Sequence, residues 1–215
     1  SPSFINVQYI MNSLSANQSP NPSFLEKFTI AMIGMFAFLQ VYSVQAILPV
    51  LMNDLSANEV QVGLSVGATV MAIALMSPFM GMLSDAFGRN RFVVGGLLLL
   101  ALPTALISQS HSVDTLTLWR FLQGLSIPAI TVVLIAYVSE EYHSHIAKMM
   151  SMYVMGTVLG GFGGRFIAGH LHDWVGWRSA YIIMAVLTLI GAVWVAKALP
   201  SSRHFVKSPN IKNAF

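Results

Sequence analysis

The sequence has 215 residues, of which 55% are hydrophobic and only 9% are charged, with a formal net charge of +3 and no cysteine. Soluble globular domains carry about 25% charged residues, so this composition excludes an ordinary water-soluble fold. The small net charge gives no indication of nucleic-acid binding, and the lack of cysteine excludes disulfide and thiol chemistry.

Six apolar runs follow an N-terminal segment, residues 1–26, that is rich in Ser, Asn and Pro. That segment is predicted to be a disordered cytoplasmic tail, since it lacks the basic start and apolar core of a signal peptide. A helix needs about 20 apolar residues to cross a bilayer. The runs lie at 28–52, 62–82, 92–108, 115–138, 149–169 and 179–198. The sequence therefore predicts an all-α membrane protein, with six transmembrane helices in a bundle over residues 27–200 and the start of a cytoplasmic loop at 201–215.

The basic residues predict the orientation of these helices, because cytoplasmic loops are enriched in Lys and Arg. A cytoplasmic N-terminus puts the following residues on the cytoplasmic side: Lys27, Arg89, Arg91, Lys148, Lys197, Arg203, Lys207 and Lys212. Of the loop cations, only Arg178 then lies outside. We therefore expect a multi-pass protein whose N-terminus is cytoplasmic.

Two segments share the pattern G-x-L-x-D-x-x-G and are each followed by arginine. Their members are Gly81, Asp85, Gly88, Arg89 and Arg91 in the first copy, and Gly169, Asp173, Gly176 and Arg178 in the second. The copies lie 88 residues apart with three predicted spans between them, so they fall on opposite faces of the membrane. Chance is the alternative, because Gly and Asp are common in turns, but four matched positions favour a duplication. The prediction is a 3+3 inverted repeat, about 27–110 and 111–200, as in many secondary transporters.

The first of these segments, G-M-L-S-D-A-F-G-R-N-R at 81–91, resembles the signature loop between helices two and three of the major facilitator superfamily. In that family the loop latches the two halves of the transporter in the outward-open state. The resemblance implies that these six helices are the N-terminal half of a twelve-helix transporter. We expect Gly81 to allow close helix approach, Gly88 to allow the turn, and Asp85 to cap a helix or pair with arginine, while Arg89 and Arg91 anchor the cytoplasmic face.

Arg120, Gln123 and Gly124, in L-W-R-F-L-Q-G at 118–124, resemble the R-x-x-Q-G motif of helix four, which is tied to proton movement in proton-coupled members. The alternative is an interfacial arginine that extends outward to water. A charge inside a span is costly, which favours a functional role. Gln45 stands four residues before Pro49, where related multidrug exporters often carry an acidic residue. It is expected to hydrogen-bond Arg120 across the cavity or to pack within the bundle.

A glycine-rich string in the fifth run resembles the helix-five motif that marks antiporters of the family. Its members are Gly156, Gly160, Gly161 and Gly164, and glycines at this spacing let helices pack backbone to backbone. Gly161 and Arg165 depart from the usual string, as they do in bacterial inner-membrane exporters of the drug:proton antiporter-1 type.

Arg165 is expected either to bind an anion in the cavity or to extend toward the interface. Arg120 and Arg165 have similar predicted depths, so their charges repel unless an anion lies between them. Asp54, Asp114 or the substrate is expected to supply that anion.

The resemblance implies a secondary active transporter of the bacterial inner membrane that exports small organic compounds by alternating access, driven by the proton gradient. It implies no cofactor, metal or nucleic acid; the expected partners are the lipid bilayer, a small-molecule substrate, and a C-terminal six-helix half or a second copy. The alternatives are a proton-coupled metabolite importer and a half-transporter fragment that does not transport. An intramembrane serine protease is disfavoured, because the G-x-S-x-G string at 63–67 opens a helix and no span interior holds a histidine.

Overall fold

The computed structural model of the chain describes residues 21–201, and every regular element in that range is a helix. The helices are α1 (Phe24–Ser43), α2 (Leu48–Asp54), α3 (Glu59–Phe87), α4 (Arg89–Ile107), α5 (Val113–Glu141) and α6 (Ile146–Ala198). Short 3₁₀ turns, Val44–Ile47 and His143–His145, precede α2 and α6. The predicted all-α class is confirmed for this range, while the predictions for residues 1–20 and 202–215 lie outside it.

Five helical segments within the described range are long and apolar enough to cross a membrane. They are Phe24–Asp54, Glu59–Phe87, Arg89–Ile107, Val113–Glu141 and His143–Ala198. The predicted spans 149–169 and 179–198 both fall in the last of these, where two helices meet at a kink, so five segments of this kind are found and the expected six are not confirmed. Gly176 interrupts this segment with φ 79° and ψ 156°, values that no α-helix contains.

The two arms of α6, residues 146–175 (first arm) and 177–198 (second arm), run in opposite directions along α1. The first arm is parallel to α1, because later residues of the arm contact later residues of α1. The second arm is antiparallel to α1, because its later residues contact earlier residues of α1. The contacts that show this are Gly156 with Ala31 and Gly164 with Leu39, and Gly191 with Phe36 and Tyr181 with Ser43. The chain therefore reverses at Gly176, and α1 lies between the arms.

Polar residues placed just before the apolar runs start three of the helices. Ser23 and Glu26 cap α1 reciprocally, and Asn58 and Gln61 do the same for α3, as do Ser112 and Thr115 for α5. Because α1 begins at Phe24, residues 24–26 are helical, although the sequence assigned them to the tail. The fourth helix instead follows Gly88, whose φ of 90° makes the turn.

The glycine string of α6 forms a flat face against α1. A Cβ atom at Gly156 would lie 1.9 Å from the carbonyl oxygen of Ala31, and one at Gly160 would lie 2.3 Å from that of Met35. Residues four apart lie on one helix face, so this spacing lets the two backbones touch. At Gly163, on another face, the nearest atom to such a Cβ lies 4.0 Å away. The first arm of α6 therefore packs against α1 through its backbone, on the face that carries Gly156, Gly160 and Gly164.

Two apolar clusters fill the bundle, one toward each end. One includes Ile33, Leu97 and Val133, and the other includes Leu51, Leu116 and Tyr181. The buried polar residues Gln40, Thr104, Arg120, Gln123 and Thr188 come from the helix stretches between these clusters. The fold therefore holds a polar layer between two apolar ones.

Candidate functional site

Arg120 of α5 is the centre of the polar layer and is fully buried, with 0% of its surface exposed. Its Nη1 donates to the carbonyl oxygen of Gln40 at 2.9 Å and to Oε1 of Gln123 at 2.7 Å. Its Nη2 donates to the carbonyl oxygen of Val41 at 2.9 Å. The side chain therefore points into the bundle, and the alternative of an arginine extending outward to water is wrong.

The carbonyl groups that receive Arg120 lie where α1 ends. Gln40 and Val41 begin the last turn of α1, which gives way to the 3₁₀ turn Val44–Ile47. The last four carbonyls of an α-helix lack the partners that a continued helix would supply. Pro49, without an N–H group, stands in the first turn of α2. The break before Pro49 therefore makes a docking point for a guanidinium group.

Close packing between α3 and α5 fixes the backbone beneath Arg120. A Cβ at Gly124 would lie 2.3 Å from the carbonyl oxygen of Thr69. The hydroxyl of Thr69 donates to the carbonyl oxygen of Arg120 at 3.0 Å. Gly124 thus allows α3 and α5 to approach.

The hydrogen bonds of Gln123 and Gln40 extend the site to α4 and to the second arm of α6. Gln123 Nε2 donates to the hydroxyl of Thr104 at 2.8 Å, and Gln40 Nε2 donates to the hydroxyl of Thr188 at 2.9 Å. The network therefore joins four parts of the fold around one charge.

No carboxylate pairs with Arg120 in the part of the chain that the structure describes. Its acceptors are two carbonyls and one amide, and its Nε has no hydrogen-bond partner there. Burying a charge costs several kcal/mol even after relaxation, and neutral acceptors offset only part of that cost. Charged groups inside membrane bundles mark functional sites for this reason.

Gln45 contacts Arg165, the second arginine that lies within a predicted span. It lies in the 3₁₀ turn, and its Oε1 accepts a hydrogen bond of 2.9 Å from Nε of Arg165. The expected bond from Gln45 to Arg120 is therefore wrong, and the carbonyls of Gln40 and Val41 serve Arg120 instead. The tighter 3₁₀ turn rotates successive side chains further than an α-helix does, which turns Gln45 toward α6.

Arg165 has a different environment from Arg120, because its side chain is exposed in this chain. Its Cζ lies 4.5 Å from the ring centroid of Tyr42, a cation–π contact. Its Nη1 donates to the carbonyl oxygen of Gly161 at 3.3 Å. A groove of about 370 Å³ adjoins it, lined by Phe38, Tyr42, Thr157, Val158, Gly161, Phe162 and Arg165.

The outer end of the bundle, as oriented by the sequence, is joined by Asp54 and Arg178. Arg178 Nη1 lies 2.6 Å from Oδ2 of Asp54, which also accepts from Trp177 at 3.0 Å. Arg178 Nη2 donates to the carbonyl oxygen of Ser110 at 3.0 Å. Asp54 therefore pairs with Arg178 and not with the two span arginines, contrary to the hypothesis from the sequence.

The remaining members of the second repeat copy lie around this cluster. Gly169 makes an ordinary contact with Ala46, and Gly176 supplies the positive φ of the chain reversal. Asp173 is exposed, and so is Asp114, which is not part of the repeat but was named as an anion for Arg120 and Arg165.

At the opposite end, Arg89 joins the turn after α3 to the end of α5. Its Nη2 lies 2.7 Å from Asp85, and its Nε and Nη2 each lie 2.6 Å from a carboxylate oxygen of Glu140. Asp85 thus pairs with arginine, one of its two expected roles, and Arg91 is exposed. Open space surrounds the Cβ position of Gly81, so the close helix approach expected there is not made within residues 21–201.

Sequence reasoning missed three residues of the polar layer, Gln40, Thr104 and Thr188, and also Tyr42 beside Arg165. Gln40 carried a usable signal, because an amide inside an apolar span needs a partner. The threonines carried none, since a threonine in a membrane helix can bond its own helix backbone.

The comparisons with known proteins give the class of protein. The sequence matches the family model described as Major Facilitator Superfamily over residues 30–214. The chain belongs to this superfamily, which confirms the resemblance and rejects the protease alternative. In agreement, the G-x-S-x-G string lies inside α3, where the Ser65 hydroxyl donates to the Val62 carbonyl oxygen at 2.6 Å.

Individual relatives are about twice the length of this chain. The chain is 37% identical over 189 residues to the inner membrane transport protein YnfM of Escherichia coli (strain K12), covering 86% of this chain and 45% of that protein. It is 30% identical over 125 residues to the chloramphenicol resistance protein CraA of Acinetobacter baumannii, covering 58% and 30%. The chain has the same fold as part of a bacterial homologue of the human lysosomal transporter Spinster, whose crystal structure is inward-facing and occupied. The TM-score is 0.74 at 17% identity, and the match covers 86% of this chain and 46% of that one. The chain thus spans less than half the length of these proteins.

Proposed function

We propose that the chain is the first half of a secondary active transporter that exports small organic compounds in exchange for protons by alternating access. The observation that carries the proposal is Arg120, a fully buried cation held only by neutral acceptors at the junction of four parts of the bundle. A fold that needed only stability would be served as well by an apolar side chain. Arg120 is therefore proposed to couple proton movement to substrate movement, which explains why a buried charge is kept despite its energetic cost.

The proton carrier itself is proposed to lie outside the spans of this half. All eight acidic residues, Glu26, Asp54, Glu59, Asp85, Asp114, Glu140, Glu141 and Asp173, flank the apolar runs. Arg120 then acts on a carboxylate elsewhere through its charge, holding that group ionised until a proton or substrate arrives.

A six-crossing half with a cytoplasmic N-terminus is part of the proposal. The reversal at Gly176 lets the two arms of α6 cross the membrane separately, which gives six crossings in place of five. Gly88 and Gly176 occupy matching places in the two repeat copies and both have positive φ, which supports an inverted 3+3 repeat. The length of the relatives supports a second half, for which a second copy of this chain is the alternative.

Export is favoured over import by two observations. The glycine face of α6 corresponds to the string that marks antiporters, and the relative CraA is named for chloramphenicol resistance. A proton-coupled importer remains the second candidate, and the direction of proton movement separates the two.

The test uses everted membrane vesicles from cells that make the full-length protein, with a dye that reports internal pH. Cationic, neutral and anionic compounds are added in turn to energised vesicles. We expect at least one to release protons from the vesicle interior, and Arg120→Gln to abolish that release while the protein remains folded in detergent. Arg178→Gln, which removes an arginine at the end of the bundle, is the control and should retain most of the activity.

Each outcome has a distinct meaning. Substrate entry that acidifies the vesicle interior further would indicate symport and contradict export. Transport that Arg120→Gln leaves intact would contradict the assigned role of Arg120. The 215-residue chain measured alone tests whether this half works without a second half.

A further inference from the structure

The hydrogen bonding of Arg165 leaves one edge of its guanidinium group open. Nε is bound to Gln45 Oε1 and one Nη1 hydrogen is directed at the Gly161 carbonyl oxygen. Arginine has five N–H donors, so three remain, on Nη1 and Nη2. No group in residues 21–201 accepts a hydrogen bond from Nη2. Nη1 and Nη2 form the edge of the fork that matches the two oxygens of a carboxylate.

Arg165 lies at a depth where hydrocarbon contact is costly. It precedes Gly176 by 11 positions, which is about 16 Å along a helix. The first arm is about 45 Å long, so this position falls inside the roughly 30 Å apolar core of a bilayer. An arginine facing lipid there is disfavoured by several kcal/mol. The groove between α1 and the first arm of α6 therefore faces an aqueous cavity or another protein surface.

The walls of this groove are apolar and partly aromatic. Tyr42 lies under the guanidinium group, and Phe38 stacks on Tyr42 with 6.2 Å between ring centroids. Phe162 lies one turn before Arg165 and also lines the groove. The volume of about 370 Å³ is within the range of sites for small organic molecules. One charged group above apolar walls is complementary to a molecule with one charge and an apolar body.

We infer that Arg165 binds the carboxylate of a small organic anion whose ring or chain lies along Tyr42 and Phe162. This inference rests on the proposed transport function and names its substrate class. Gln45 orients the guanidinium group from the 3₁₀ turn, and Gly161 leaves room for Tyr42, whose ring lies 3.3 Å from the position of a Cβ there. A carboxylate side chain from the second half of the transporter is the competing occupant.

The experiment measures binding to the purified full-length protein and uptake into everted vesicles, with probes matched in shape. The probes are benzoate and 2-naphthoate, together with their uncharged amides. We expect the wild-type protein to bind one or both carboxylates more tightly than the corresponding amide. Arg165→Gln should weaken carboxylate binding by about 10- to 100-fold and leave amide binding unchanged. Arg165→Lys, which keeps the charge without the fork, should give an intermediate loss.

Two further variants separate positioning from general damage. Gln45→Leu removes the hydrogen bond that orients Arg165 and should weaken carboxylate binding by a smaller factor. Leu159→Val, on the same arm but exposed and absent from the groove lining, should bind both probe types as the wild type does.

Three results would overturn the inference. Equal binding of carboxylates and amides by the wild type, or no binding of any probe, would remove the anion site. Selectivity that survives in Arg165→Gln would show that another group binds the anion. An equal loss for carboxylates and amides in Arg165→Gln would assign Arg165 to a carboxylate of the second half. In each case, Arg120-dependent proton release with another compound would leave the proposed function intact.

Discussion

Gly88 and Gly176 lie 88 residues apart and have nearly the same backbone conformation, with φ of 90° and 79°. Gly88 turns the chain from α3 into α4, and Gly176 reverses it within α6. The two glycines occupy the last position of the G-x-L-x-D-x-x-G pattern. The local geometry of the turn is therefore the same at both ends of the bundle.

Replacing either glycine by alanine should destabilise the protein. A side chain at positive φ brings Cβ against the backbone, which costs about 1–2 kcal/mol. Thermal unfolding in detergent would measure this as a lower Tm for Gly88→Ala and Gly176→Ala. Gly67→Ala is the matched control, because Gly67 lies within α3 with open space at its Cβ, and alanine favours a helix by up to ~1 kcal/mol. An unchanged Tm for Gly88→Ala and Gly176→Ala would contradict the expectation that alanine is strained at these positive φ angles.

The glycine face of α6 should tolerate no side chain. Gly156→Ala puts a methyl group 1.9 Å from the Ala31 carbonyl oxygen, so α1 and α6 must separate, at a cost of about 1–3 kcal/mol or more. Gly163→Ala changes the same helix with no close neighbour and should be neutral or stabilising. Chemical unfolding of the two variants in the same detergent checks the contrast. Equal effects of both variants would contradict the packing described.

The two terminal ion pairs should differ in strength. Arg178 and Asp54 are both about 40% exposed, so their coupling should be below about 1 kcal/mol and should weaken with salt. Arg89 is 12% exposed and binds both oxygens of Glu140, which is 43% exposed, so solvent screens this pair as well and its bidentate geometry predicts a coupling of about 1 kcal/mol.

Double-mutant cycles measure these two couplings. The variants are Arg178→Gln with Asp54→Asn, and Arg89→Gln with Glu140→Gln, each unfolded at low and high salt. A stronger coupling for the exposed pair would contradict the prediction.

Tyr142, in the loop between α5 and α6, should remain neutral at high pH. Burial raises the pKa of its hydroxyl, and donation of a hydrogen bond to Glu26 Oε1 at 2.8 Å raises that pKa further. A raised pKa in the folded protein means that this contribution to stability is complete below the unfolded pKa of about 10 and is lost as pH rises above it.

The stability difference between wild type and Tyr142→Phe, followed from pH 8 to pH 11, measures this effect. Other tyrosines titrate in both proteins and largely cancel. The difference should shrink above about pH 10. A constant difference across this range would show that Tyr142 has an ordinary pKa.

The apolar elements could be predicted from the sequence because hydrophobic run length and caps are local signals. The Ser23–Glu26 cap was missed, since the sequence assigned residues 1–26 to the tail, whereas Gly88 was expected to allow the turn that it makes. The end of the fifth predicted span could not be placed from the sequence, because Gly176 reverses the chain without a polar loop on either side. The first arm of α6 therefore continues as helix to residue 175, past the predicted end at residue 169.

The partners of the two span arginines depend on geometry that the sequence does not express. Arg120 binds main-chain carbonyls, which every residue has, so no side-chain pattern identifies Gln40 and Val41 as acceptors. Gln45 contacts Arg165 because the 3₁₀ turn rotates it away from Arg120. Family resemblance predicted a functional role for Arg120, but its neutral surroundings became visible only in the folded chain.

The position of α1 between the arms of α6 has a consequence for biosynthesis. Most contacts of α1 are with α6, and it has few with α3, α4 or α5. Its main partner is therefore synthesised much later than α1 itself, since Gly156 follows its contact Ala31 by 125 residues. During that interval the main-chain acceptors of Gln40 and Val41 can already receive Arg120. That early hydrogen bond would hold α1 beside α5 until the glycine face of α6 arrives.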